Sequence, residues 1–481
     1  MQTMPERMRK RPTATALPGE RSIEKAVVQH QEKRQESASH VNIGSLVFLI
    51  GCVLAIGAAV MARRGFRGRE HTVGIDLGTT YSVVAISQNN SVTVIPDEHG
   101  HLITPSIVAY LPNGRREARA YRTKDPRHTI FNAKRFIGRS FRDVSDDAST
   151  TWPYEFTIKR YGEHDNATVC FELETVGHPN CISPVDVGTR IVQHLKTLAW
   201  RFVGHNQMGM IDNLLSGLTH NYCGQINRAV IAVPVDFDSK QRSATVAAFN
   251  AAGLKVSRVL EEPTAAAIAY GLHQDASVNF ILVFDFGGGT LDVSLLFARS
   301  GSISVIDTMG DNNLGGEDLD AAIAHHLIQN LEVKLGAVSS GGSGVDAHEQ
   351  LDHDGDSEAL PCTKAGIRRA AEMLKRSLSS SLEASASCLT TDNNRVIMAM
   401  SRYELESICE AILKRTLVPV REILEANSMT IQDIDAVVLV GGSTRLPWVR
   451  RELTAMFGGR PPLTDIDPDV AVAYGAARTV D

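Results

Sequence analysis

Two short stretches restrict the fold more than anything else in the chain. HTVGIDLGTTYSVVAIS (71–87) and FILVFDFGGGTLDVSLLFA (280–298) each run from an apolar strand into an Asp, then a turn of Gly and Thr, then a second apolar strand. Apolar β-rich runs of this length need a buried sheet, and a Gly/Thr turn between them lets backbone N–H groups approach an anion closely. The pair lies about two hundred residues apart, a weak internal duplication that predicts two related lobes. One such turn is common. Two, each following an Asp, predict a clamp on a polyphosphate, with the carboxylates of Asp76 and Asp285 available to magnesium.

The surrounding pattern is α/β. RAVIAVPVDF (228–237) reads as a buried strand, SKQRSATVAAFNAAGL (239–254) as a helix ended by Gly253, VSRVL as a strand, and EEPTAAAIAYGL as a helix with Pro in its first turn. IDAVVLVGGSTRLPWVRRELTAMF (434–457) reads as strand, Gly-Gly turn and helix, a third place where backbone can meet a ligand. Alternating strands and helices predict α/β layers.

Ahead of this body, Ile43 to Ala62 is a run of apolar and small residues without a formal charge. A helix of that length spans roughly 30 Å, which predicts a single transmembrane helix at 43–62. A cleaved secretory signal and a buried core helix are the alternatives. The long polar segment before the run disfavours the first, and its position ahead of the folded pattern disfavours the second. Residues 1–42 are expected to be a disordered polar tail. Arg63, Arg64, Arg67 and Arg69 favour a cytosolic flank after the helix. The triplets Asn89-Asn90-Ser91 and Asn166-Ala167-Thr168 are N-glycosylation acceptors that fit a lumenal body instead.

Net charge is -6 over 481 residues, although residues 1–42 and 63–70 are both net basic. The folded remainder is therefore strongly acidic, which excludes sequence-independent nucleic-acid binding. Seven cysteines (52, 170, 181, 223, 362, 388, 409) show no CxxC and no Cys/His zinc spacing, so neither a disulfide framework nor a zinc site is predicted. GHNQMGMIDNLLSGLTHNYCG (204–224) and SSGGSGVDAHEQLDHDGDSE (339–358) read as insertions. Asp352, Asp354 and Asp356 in the second lack the Gly and Glu of a calcium loop and read as a solvated acidic loop.

Eight motifs, in order, resemble the heat-shock-70 chaperone family within the actin/hexokinase/chaperone ATPase superfamily. They are GIDLGTTYS (74–82), FNAKRFIGRSF (131–141), EEPTAAAIAYGL (261–272), FDFGGGTLDVS (284–294), GGED (315–318), EMLKRSLSS (372–380), GGSTRLP (441–447) and PDVAVAYGAA (468–477). VIPDEHGHLITPS and VPVDFDSKQR, with the apolar segment, are similar to a microsomal branch consisting of the ATPase core. The resemblance implies a two-lobed actin-like ATPase fold with duplicated ribonuclease-H-like lobes, lobe I at 71–274 and lobe II at 275–481. It implies ATP/ADP and Mg²⁺ as ligands, with K⁺ as an optional further ion.

Residue by residue, the resemblance assigns magnesium to Asp76 and Asp285. It assigns hydrolysis to Lys134, Glu262, Asp285 and Asp292, with Lys134 reaching the γ-phosphate and Glu262 or Asp285 orienting the attacking water. Gly78, Thr79, Thr80 and Tyr81 would form the first phosphate loop, and Gly287, Gly288, Gly289 and Thr290 the second. Glu372, Lys375, Arg376 and Ser379 would clamp adenosine from one helix. Gly441, Gly442, Ser443 and Arg445 would close the nucleoside side, followed by Asp469. The implied role is an ATPase of secretory-pathway proteostasis, in the endoplasmic reticulum with a lumenal body. J-domain proteins and nucleotide-exchange factors are the implied partners. Arg258 matches a J-domain docking position, but Glu261 replaces a family Asn beside it, which implies weakened coupling. No peptide-binding domain is expected after Asp481. The alternatives are a nucleotide-binding adaptor or actin-like scaffold with little turnover, and a sugar-type kinase on the same fold.

Overall fold

A computed structural model describes residues 43–63, 71–88, 91–110, 116–117, 129–145, 157–162, 168–173, 181–207, 226–339, 360–390 and 394–480. The expected polar tail, the asparagines of both glycosylation triplets, most of the 204–224 insertion and the acidic loop lie outside these residues. The chain divides into two compact units, 1–67 and 68–481.

In the first unit the apolar run forms helix α1 (Ile43–Arg63), with Leu46, Phe48, Leu49, Ile50, Leu54 and Ile56 exposed. Among the described residues, however, no helix is long and apolar enough to cross a membrane. This corrects the expected transmembrane helix at 43–62.

The two largest sheets of the second unit are built on one plan. In the first, β1 (His71–Leu77) and β2 (Tyr81–Gln88) form the predicted hairpin, with Asp76 opposite Val83 and Leu77 opposite Ser82. β3 (Ser91–Val94) continues it. Helix α2 (Pro184–Gln207) buries Val187, Ile191, Leu195 and Leu198 against this sheet, a stripe at helical spacing. β4 (Ile226–Val233) returns parallel to β1. Helix α3 (Ser239–Ala251) then starts at a capping box, Asp238 accepting from the Gln241 amide while the Gln241 side chain accepts from the Asp238 amide. It stops just before Gly253, as the sequence predicts. β5 (Lys255–Glu261) lies parallel to β4 and leads into α4 (Glu262–Ala269) with Pro263 in its first turn. The strand order is β5-β4-β1-β2-β3, with the short strand Thr104–Pro105 also paired to β2.

The second sheet repeats this. β6 (Phe280–Phe286) and β7 (Leu291–Arg299) form the other hairpin, and β8 (Ser302–Asp311) continues it. Helices α5 (Gly316–Ser339) and α6 (Lys364–Leu378) follow, then the antiparallel pair β9 (Glu383–Leu389) and β10 (Arg395–Ser401). β11 (Ala436–Val440) comes back parallel to β6, as β4 does to β1, and gives the order β8-β7-β6-β11. Helix α7 (Pro447–Met456) follows the Gly-Gly turn, and α8 (Ala471–Arg478) ends the fold. Each sheet has its own core, around Ile75, Val84 and Ile231 in one and Phe284, Phe286 and Leu439 in the other. The small residues of PDVAVAYGAA have a steric cause: a Cβ on Gly475 would lie 1.8 Å from the Ala265 carbonyl of α4.

The cysteines also require a correction. Cys170 pairs with Cys181 and Cys362 with Cys388 as disulfides, at Cα separations of 5.3 and 5.0 Å. Cys362 directly precedes Thr363, the N-cap of α6, so the second bridge ties the start of that helix to β9. A loop with a sequence separation of 26 is expected to contribute about 3 kcal/mol through the unfolded chain. Cys362→Ser should lower the melting temperature by several degrees, and a dithiol reductant should then cost the variant less than it costs the parent. Equal losses in both would count against the bridge.

Candidate functional site

The two hairpins bring their Asp-tipped ends into one cleft. Asp76 is the penultimate residue of β1 and Asp285 of β6, and Asp285 lies opposite Asp292 in the second hairpin. Every residue singled out above as a catalytic, metal or nucleotide candidate lines one of two adjoining cavities. The inner one, about 360 Å³, holds Asp76, Lys134, Glu262, Asp285, Asp292 and the turns 78–81 and 287–290. The outer one, about 1070 Å³, holds Glu372, Lys375, Arg376, Ser379, Ser443 and Arg445. Thr80, Tyr81, Gly288, Gly442 and Asp469 line both and form the passage between them.

The inner cavity is electrostatically loaded. Lys134 projects from the short 3₁₀ turn Ala133–Phe136, and its Nζ donates to Glu262 Oε1 at 2.6 Å with both side chains largely buried. Burial works against the ammonium charge, but the carboxylates of Glu262, Asp76 and Asp285 outweigh it and hold the Lys134 pKa above its ordinary value. Burial pushes Asp76 up to about 7, Lys134 pulling it back and Glu262 adding to the rise. Burial, reinforced by Glu262 and Asp236, pushes Asp292 up to about 7. Asp285 is raised well above the usual carboxylate range by burial and by Glu262, Asp292 and Asp76. Four carboxylates lie around one ammonium, with the guanidinium groups of Arg135 and Arg139 also on the cavity wall.

The Asp76 Oδ1 atom is buried with no hydrogen-bond partner in the structure. An orphaned carboxylate oxygen beside Asp285 suits a cation. Among the described residues no group of three or more His, Cys, Asp or Glu is arranged to ligate a metal. This excludes an all-protein cage but fits magnesium, which keeps most of its water and uses one or two carboxylates.

The loops are held from behind. The Gly78 carbonyl accepts from Ser106 Oγ at 2.8 Å, and the Thr80 carbonyl accepts from the Ser106 amide at 2.8 Å. In the second loop, the Gly287 carbonyl accepts from Ser443 Oγ at 2.8 Å and from the Gly316 amide at 3.0 Å, and the Gly288 carbonyl accepts from the Glu317 amide at 2.8 Å. Gly441 carries φ +81, and a Cβ there would lie 2.5 Å from the Phe286 carbonyl, so the third Gly-rich turn abuts the second sheet's strand end. Arg445 Nε donates to Asp469 Oδ2 at 2.9 Å, and its Nη2 donates to Asp467.

On α6, Glu372 Oε1 accepts from the Tyr81 hydroxyl at 3.1 Å, a contact from this helix to the start of β2. Arg376 is mostly exposed at the cavity wall. Lys375 is committed internally: its Nζ donates to Asp320 Oδ2 at 2.8 Å and to the Gly316 carbonyl at 2.8 Å. Asp320 escaped the sequence reading. It is buried, its Oδ1 has no partner, and burial pushes it up to about 6 against the pull of Lys375. Arg135, Asn132 and Glu317 also escaped, although FNAKRFIGRSF and GGED contain them.

The sequence profile described as Hsp70 protein matches residues 72–480. The chain belongs to this family. A chaperone protein HscA homolog of Laribacter hongkongensis is 38% identical over 84% of the chain and 57% of its own length. A heat shock cognate HSP70 protein of Trypanosoma brucei brucei is 36% identical, covering 85% and 56%. A ribosome-associated molecular chaperone of Eremothecium gossypii is 37% identical, covering 87% and 62%. The chain spans a little over half the length of these curated relatives. Family membership accounts for the order of motifs around the cleft and for the α/β fold of the second unit.

Proposed function

We propose that the chain binds ATP in this cleft and hydrolyses it, as the ATPase of a chaperone acting in protein folding within the secretory pathway. The observation that carries this is the buried Lys134–Glu262 pair, 2.6 Å long, set among Asp76, Asp285 and Asp292 between two Gly/Thr loops. The triphosphate lies between the loops at 78–80 and 287–290, and the nucleoside extends into the outer cavity against Glu372, Arg376 and Ser379. Asp76 and Asp285 would hold magnesium, which would shield the phosphate oxygens from one another. Lys134 stands over the inner end, where its ammonium offsets charge developing on the transferred phosphoryl group. Glu262 holds Lys134 in place and, with Asp285, accepts hydrogen bonds from the attacking water. Asp292 reinforces the negative potential that keeps Lys134 protonated.

Calorimetry on the full chain should show adenine-nucleotide uptake in magnesium, and steady-state assays should show phosphate release. Failure to take up ATP or ADP with magnesium present sinks the reading. Faster phosphorylation of a sugar or polyol than hydrolysis would favour the kinase alternative.

The compartment reading is an oxidising lumen, that of the endoplasmic reticulum. Its support is the pair of disulfides and the triplets at Asn89 and Asn166. A glycosylation shift at those asparagines tests it. Co-chaperones are the proposed partners. Glu261 follows the exposed Arg258 by three residues on β5 and is paired with Arg242 at 3.4 Å, which puts an added acid on the strand that carries Arg258. Coupling to J-domain proteins is accordingly proposed to be weak.

A further inference from the structure

The turn that carries Lys134 also grips the opposite side of the cleft. Arg135 Nη2 donates to the Gly289 carbonyl at 2.6 Å, and Nη1 donates to the Asn312 carbonyl at 3.0 Å. Asn132 is buried, with Nδ2 donating to both Glu317 carboxylate oxygens at 3.2 and 3.3 Å. The Glu317 amide in turn holds the Gly288 carbonyl. Two successive carbonyls of the second phosphate loop are therefore governed from residues 132–135 of the first sheet's side, one directly and one through Glu317.

The packing is close enough to transmit position. A Cβ on Gly289 would lie 1.8 Å from Arg135 Nη2, and one on Gly288 would lie 2.2 Å from Thr80 Oγ1. Asn132 takes a left-handed conformation, φ 55, which Asn tolerates better than most residues and which launches the turn. Lys134 sits between the two gripping residues and points to Glu262. One short turn thus places the reacting ammonium and the opposing loop relative to each other.

We infer that Arg135, assisted by Asn132 through Glu317, is a positioning residue: it braces the 287–290 loop from across the cleft and sets its distance from Lys134. It acts through the loop's carbonyls. The guanidinium fork spans two carbonyls from different segments, which a lysine ammonium at the same place does not reproduce. The inference rests on the nucleotide reading above, since it assigns a role in the same site.

The test uses the full chain with magnesium and ATP, and compares kcat per titrated nucleotide site with KM. Arg135→Ala should lower kcat between about 10- and 100-fold while KM moves less than about threefold. Arg135→Lys should recover only a minor part of that loss. Asn132→Gly keeps the left-handed turn available and removes the amide, and should give a smaller fall in kcat in the same direction. Should Arg135→Ala not fold, Arg135→Lys and Asn132→Gly carry the same comparison. A parent chain that takes up no nucleotide overturns the nucleotide reading and this inference with it. A parent that turns over while the Arg135 variants keep kcat per site within about twofold overturns the brace alone.

Discussion

Lys134→Ala is expected to reduce ATP hydrolysis by about 10²–10³-fold while ATP still binds with an affinity within about tenfold of the parent's. The expected split follows from where the ammonium sits. Nucleotide binding draws on both Gly/Thr loops, the Gly-Gly turn and the α6 wall, whereas the hydrogen-bond partner of Lys134 is Glu262. The ammonium lies in the inner cavity, also within 6.0 Å of the Phe237 ring centroid, among carboxylates that cannot themselves offset phosphoryl charge. Its removal withdraws the one ammonium among the described residues of the inner cavity. The fold should survive, because Asp76 and Asp292, already raised to about 7, take up protons when the counter-charge goes. Lys134→Arg should not rescue turnover, since a planar fork does not fit a site built for a compact ammonium. Single-turnover hydrolysis beside an equilibrium nucleotide titration measures both quantities. Turnover within a fewfold of the parent would remove Lys134 from the chemistry.

The legible part of the site is local. Asp76 and Asp285 are readable because each ends an apolar strand and begins a Gly/Thr turn, a pattern held within a dozen residues. The register of both hairpins follows from it. The parallel return of β4 onto β1 and of β11 onto β6 follows from apolar runs without alternation, the mark of strands buried on both faces. What the sequence does not reveal depends on separation along the chain. Arg135 meets Gly289 across 154 residues and Asn132 meets Glu317 across 185, through contacts between side chains and loops with no periodic trace. Asp320 reads as one more acid on α5 until Lys375 is seen to turn towards it. The disulfides stay hidden for a related reason: pairing depends on Cα atoms brought to about 5–6 Å, and spacing carries no such distance. The expected membrane span comes from composition alone, and among the described residues no helix is long and apolar enough to cross a membrane.

Magnesium binding and proton release are expected to be coupled. In the metal-free fold, Asp76 rises from 3.8 to about 7 and Asp292 from 3.8 to about 7, with Asp285 raised as well, all chiefly by burial. Between those values the folded state holds more protons than the unfolded chain. Stability from these groups is therefore complete below the unfolded pKa and is lost as pH climbs through the folded one. Metal-free protein should melt at progressively lower temperature as pH is raised from about 5 to about 8, the reverse of a salt-bridged carboxylate. A cation needs Asp76 and Asp285 ionised, so binding expels their protons, and apparent magnesium affinity should rise by up to about tenfold per pH unit per proton, the Asp76 share levelling off as pH passes about 7. Asp292→Asn should flatten the metal-free melting profile and, because Asp292 is one of the carboxylates that raise Asp285, reduce the magnesium-linked proton release without abolishing it. Calorimetric titrations of magnesium in buffers of differing ionisation enthalpy count those protons directly. Zero protons released at about pH 6, with affinity unchanged between about pH 5.5 and about 7.5, would mean that the cation takes no proton-bearing carboxylate in this cleft, and Asp76 and Asp285 would lose their assignment.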